Sequence, residues 1–76
     1  MDKDALDTVL DRERIGKAIK ERRLQKGLSQ VDFALMIGTG KSQFWAVEHG
    51  AANVGIDTII RAARALGCHI EIVDDR

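Results

Sequence analysis

Apolar residues recur at helical spacing in four short blocks, each closed by a glycine. Ile15, Ala18 and Ile19 fall at i, i+3 and i+4, which predicts a first helix over residues 12–26, capped by Asp11 and stopped by Gly27. Ser29 is placed to cap a second helix over residues 30–37, with Phe33, Ala34 and Ile37 as its inward stripe. Beyond the Gly38-Thr39-Gly40 turn, a third helix over residues 41–49 buries Phe44 and Val47 and ends at Gly50, with His49 at its C-terminus. The fourth block is the most regular, since Ile56, Ile59, Ile60, Ala63 and Leu66 repeat at i, i+3, i+4, i+7 and i+10 before Gly67. Helices this short do not persist alone in water, so the four must share one core.

After Gly67 the period changes. Cys68, Ile70 and Ile72 alternate with His69, Glu71 and Val73, which reads as a β-strand. A lone strand in a helical chain has no ladder partner within it, so it either frays or pairs with its own copy across a two-fold axis. The regular alternation favours pairing through Cys68, His69, Ile70, Glu71 and Ile72. An antiparallel register centred on Ile70 sets His69 against the partner's Glu71, whereas centring on Glu71 opposes two carboxylates. The Cys68/Ile70/Ile72 face is expected to lie on the fourth helix near Ile60 and Leu66.

Seventy-six residues allow one small domain, which excludes a multi-domain enzyme, a barrel or a doubly wound sheet. The longest charge-free runs, such as residues 33–40, are eight residues, far short of the roughly 20 that span a bilayer, so no membrane role is expected. A single cysteine cannot form an internal disulfide, and Met1-Asp2-Lys3-Asp4 lacks the regions of a secretory signal, which together point to a reducing cytoplasm. The formal charge of zero conceals a dipole: residues 1–11 carry one Lys against four Asp, while residues 12–27 carry seven Lys and Arg against two Glu. Overall basicity therefore gives no argument for nucleic acid, and the basic stretch gives a weak one.

Candidate chemistry is sparse. Gly38-Thr39-Gly40-Lys41-Ser42 imitates the end of a phosphate-binding loop, but Leu35 stands where that motif needs its first glycine, and the preceding residues have helical rather than strand spacing. Two distant histidines and one cysteine make no metal-ligand spacing, and no nucleophile–base set is apparent, so neither catalysis, metal nor cofactor is expected.

Two short helices joined by a glycine turn, with small Ala34 at their crossing, form a helix-turn-helix. Gly27-Leu28-Ser29-Gln30, Phe33-Ala34, Gly38, Phe44, Val47-Glu48, Gly50, Asn53 and Ala65-Leu66-Gly67 together resemble the Cro/phage-repressor (XRE-type) family over roughly residues 12–67 of the chain. Val31, Leu35 and Val54-Gly55 depart from its usual pattern. The resemblance implies a mostly α, four- to five-helix lambda-repressor-like DNA-binding domain with a C-terminal β-strand pairing across a dimer. It divides the chain into an acidic segment 1–11, a DNA-binding domain 12–67 and a dimerisation strand 68–76. It also implies that Lys41, Ser42, Gln43 and Ala46 meet the major groove, that Gln30 holds a phosphate, and that Arg23 and Glu48 form a bracing ion pair. Ala-Leu-Gly followed by an alternating strand is similar to the HipB-like antitoxins, dimeric repressors that also bind a HipA-like kinase toxin. Val31, Leu35 and Trp45 are surplus apolar positions, either covered by Ala5, Leu6, Val9 and Leu10 or forming a partner patch. The expected function is a homodimeric repressor of double-stranded DNA with an inverted repeat, an autoregulating antitoxin. The alternatives are a stand-alone phage-type regulator and, in another class, an interaction adaptor that has lost DNA binding.

Overall fold

The computed structural model describes residues 2–75, which form four helices: α1 (Lys3–Gln25), α2 (Gln30–Met36), α3 (Lys41–Glu48) and α4 (Ile56–Ala65). α1 starts at Lys3 and not near Arg12, so residues expected to form a separate acidic segment are its first turns. Asp2 supplies the cap, its carboxylate accepting from the Ala5 N–H at 2.8 Å, and Lys3–Asp7 and Asp11–Arg14 pairs span successive turns. Asp11 resembled a cap because the apolar period begins after it; the turns before it are exposed on most sides and carry no period to read.

All four helices end alike. In each, the two residues after the cap donate back to the last turn, as in Gly38 N–H to the Leu35 carbonyl (3.2 Å) and Thr39 N–H to the Ala34 carbonyl (3.0 Å), and the first of the two is a glycine at positive φ. The core consists of Ile19 from α1, Phe33, Ala34 and Ile37 from the second block, Phe44 and Val47 from α3, and Ala62 and Leu66 from the fourth. Phe33 and Phe44 are fully buried and meet edge to face, ring centres 5.1 Å apart.

Two stripes keep the expected Ile19, Ala63 and Leu66 but shift at their other positions. α1 buries Gly16, Ile19 and Arg23 and leaves Ile15 and Ala18 toward the surface, and α4 buries Thr58, Ala62 and Ala63 while Ile56 and Ile60 are exposed. Small residues lie at the centre of both: Gly16 lets the backbone of α3 approach closely, and Ala62 is fully buried. No β-strand is present among the described residues. The segment after Leu66 runs unpaired beside α1, with Ile70 sharing a groove with Ile15, and Ile60 of α4 takes no part in it.

Candidate nucleic-acid interface

The α2–turn–α3 unit is built by local chemistry. Ser29 caps α2, its Oγ accepting from the Asp32 N–H at 3.0 Å. Gly38, at φ +73°, reverses the chain in a conformation that costs other residues about 1–2 kcal/mol. Gly40 then opens α3 without a side-chain cap, so the first-turn amides are left for other acceptors.

α3 is anchored on one side and free on the other. Phe44, Val47 and Glu48 are buried, Lys41, Ser42 and Gln43 are exposed, and Ala46 is half-buried. The expected groove-facing residues thus occupy adjacent turns at the N-terminal end of one helix. Lys41 and Ser42 make no side-chain hydrogen bond or ion pair among the described residues, whereas Gln43 is held: the Thr39 hydroxyl donates to its Oε1 at 2.8 Å. Thr39 was not identified from sequence, where it read only as a turn residue.

The opposite side of α3 is tied to α1 and α2 by a buried network. Arg23 Nε and Nη2 donate to the two carboxylate oxygens of Glu48 at 2.6 and 3.0 Å, with side chains 6% and 0% exposed. Arg23 Nη1 also donates to the Leu28 carbonyl at 2.6 Å, and Gln30 Nε2 to Glu48 Oε1 at 2.9 Å. The structure therefore brings Arg23, Glu48 and Gln30 into one cluster, with Gln30 joined to the ion pair as well as standing at the start of α2. No buried side-chain nitrogen or oxygen among the described residues lacks a partner, which is the condition for a buried ion pair to be tolerated.

Three further residues set the position of α3. A β-carbon on Gly16 would overlap the Val47 carbonyl oxygen and stand 2.6 Å from that of Glu48. A β-carbon on Gly50, which has φ +67°, would stand 2.8 Å from the Glu13 backbone. Arg12 Nε donates to the Gly50 carbonyl at 3.0 Å. The C-terminal end of α3 is thus seated directly on the backbone of α1. A glycine in mid-helix, at position 16, was the only sequence signal for this contact.

Val31, Leu35 and Trp45 are 45%, 73% and 48% exposed; of the N-terminal residues expected over them, Ala5, Leu6 and Leu10 are themselves exposed and Val9 is half-buried. Trp45 stacks on His49 at 3.7 Å, and His49 Nδ1 donates to the Trp45 carbonyl at 2.9 Å, closing the helix end. In the C-terminal segment, Cys68 packs against the core, His69 pairs with Glu71 of the same chain at 3.1 Å, and Ile72 is completely exposed.

The helix-turn-helix family model matches residues 19–73, well over half of the chain and including all of α2, α3 and α4. No curated protein gives a significant match. No helix among the described residues is long and apolar enough to cross a membrane. With an anchored α3 presenting its polar side beyond a glycine turn, and with that match, the chain belongs to the Cro/C1-type (XRE) helix-turn-helix family of DNA-binding transcription regulators.

Proposed function

We propose that the protein is a homodimeric, non-enzymatic repressor that reads an inverted-repeat operator with α3. The observation that carries this reading is the two-sidedness of α3: Lys41, Ser42 and Gln43 are exposed on a helix whose other face is fixed by the Arg23–Glu48 pair. Lys41 donates to guanine O6 and N7 or to phosphate, Ser42 serves base or backbone, and the Ala46 methyl meets a thymine methyl. Gln43 reads adenine N6 and N7; the Thr39 hydroxyl uses one lone pair of Oε1, leaves the other, and orients the carboxamide. Gln30 has one amide hydrogen on Glu48 and keeps the second for a phosphate.

Paired C-terminal strands in the Ile70 register would hold two such helices about one DNA turn apart, about 34–36 Å. Footprinting is the test. Two protected half-sites in inverted repeat are expected, and a single unrepeated half-site at saturation would refute the dimeric reader. A salt series distinguishes the adaptor alternative, since a DNA reader loses affinity steeply as salt rises.

A narrower reading makes the protein a HipB-like antitoxin acting in the cytoplasm with a HipA-like kinase toxin as second partner. It is supported by the apolar surface that Val31, Leu35 and Trp45 leave exposed. An adjacent gene for a kinase-like protein, whose product co-purifies with the wild type and not with Leu35→Asp, is the expected result. Absence of such a gene returns the protein to the stand-alone regulators.

A further inference from the structure

A groove of ≈ 210 Å³ lies between α1 and the end of α4, floored by Ala18, Ile19 and Leu66 and walled by Cys68 and Arg22. It is predominantly apolar, and the C-terminal segment that forms its wall continues into Ile72, which is 100% exposed. An apolar groove and a fully exposed apolar side chain thus lie on the same stretch of chain, and Ile72 is not among the residues that line the groove. From Cys68 the segment passes Ile70 and moves on to the first turns of α1, beside Lys3, Asp7 and Leu10, so Ile72 leads away from the groove of its own chain.

We infer that this groove receives the partner's Ile72 when two copies pair. The inference rests on the homodimeric reading above and specifies what the strands do beyond pairing with each other. In the antiparallel register about Ile70, the partner's Ile72 stands opposite Cys68, which is the groove wall. Cys68, His69 and Ile70 line the groove in the single chain; once the segment pairs as a strand, residues 68, 70 and 72 share one face, the one that carries Cys68 and Ile70. The partner's Ile72 then enters on the same side, above Ala18 and Ile19.

Charge supports the same occupant. Continuing past Ile72, the partner's Asp74 and Asp75 run toward Leu66 and Arg22. Arg22 makes no ion pair among the described residues, so the acidic Asp74–Asp75 pair arriving there is complementary to it. Each copy would thus give one isoleucine and receive one, as a two-fold interface requires.

The native Cys68 is a built-in reporter, because Cα atoms opposite each other in antiparallel strands are about 4.5–5.5 Å apart, within the span of a disulfide. Oxidised Ile72→Cys should run as a covalent dimer on a non-reducing gel, while wild type and Asp74→Cys should not. Ile72→Asp should raise the dimer dissociation constant on the order of a hundredfold or more, since two buried side chains are lost. Ala18→Trp, which fills the groove from within and lies outside the strand, should raise it at least about tenfold with the helical circular dichroism unchanged.

Cross-linking through Asp74→Cys in place of Ile72→Cys would place the axis at Glu71 and overturn the inference while the strand-paired dimer stood. So would a wild-type dimer, seen by sedimentation, that neither Ile72→Asp nor Ala18→Trp weakens. A wild-type monomer at all concentrations would overturn the inference and the homodimeric reading together.

Discussion

The two halves of α1 lie in opposite surroundings. From Gly16 to its end the helix is held under α2 and α3, with Ile19 and Arg23 about 5% exposed. Its first turns have no fully buried residue, and Leu6 and Leu10 stand open, Leu10 beside the unpaired C-terminal segment. The helix is continuous across both. The inner half is defined by contacts that its own chain completes. The outer half displays apolar groups that its own chain leaves open, while the groove at Ala18, Ile19 and Arg22 opens beside the buried face of the inner half.

The largest effects should come from the closed half. Arg23→Met leaves Glu48 buried without its cation and should destabilise the fold by about 3–5 kcal/mol, whereas the double variant Arg23→Met/Glu48→Leu should recover much of that loss, because a buried ion pair replaced whole is often neutral. Urea unfolding of both variants measures the difference. A double variant no more stable than the single one would show that the network is worth more than the charge it neutralises.

Next is Gly50→Ala. The left-handed backbone costs about 1–2 kcal/mol, and overlap with the Glu13 backbone adds about 1–3 kcal/mol of overpacking. Gly40→Ala is its control, with ordinary φ and nothing within 4 Å of the added carbon. Thermal melting should separate the two substitutions clearly. Equal losses would mean that α3 is not seated on α1 at Gly50.

These contacts also mark where sequence reading stops. α2, α3 and their turn were legible because their signals are local: Ser29 caps, Phe33, Phe44 and Val47 repeat, and Gly38 and Gly50 stop the helices. The contacts missed join residues far apart in the chain, Arg12 with Gly50 and Gln30 with Glu48, and no periodicity records a partner 38 or 18 positions away. Part of the α4 stripe was misread because large Ile56 and Ile60 outweighed small Ala62, which is fully buried. Exposed, paired charges carry no period, so the start of α1 could be located only from the Asp2 cap.

A smaller effect, on binding and not folding, is expected on the free face of α3. Lys41→Ala and Gln43→Ala should each cost about 1–3 kcal/mol of discrimination between operator and scrambled DNA. Their melting temperatures should match wild type, since both side chains are exposed. Thr39→Val should reproduce part of the Gln43 loss by freeing its carboxamide. Unchanged discrimination in all three would place the reading residues elsewhere.

The smallest effect on the isolated chain is expected in the open half, and it sharpens the comparison most. Leu6→Gln replaces a side chain already 47% exposed on a helix turn with no buried neighbour of its own. Measured at high dilution, where association is absent, its unfolding free energy should lie within about 0.5 kcal/mol of wild type, as for other surface positions. Concentration then provides the discriminating variable. A fold that is stabilised by self-association melts higher as concentration rises, because the native state alone is drawn into the complex. Wild type should show that rise, and Leu6→Gln should show less of it if the first turns of α1 border the joint between copies. Two melting curves that coincide at every concentration would exclude the first turns of α1 from the joint, and would leave the residues before Arg12 as a solvated extension of the helix.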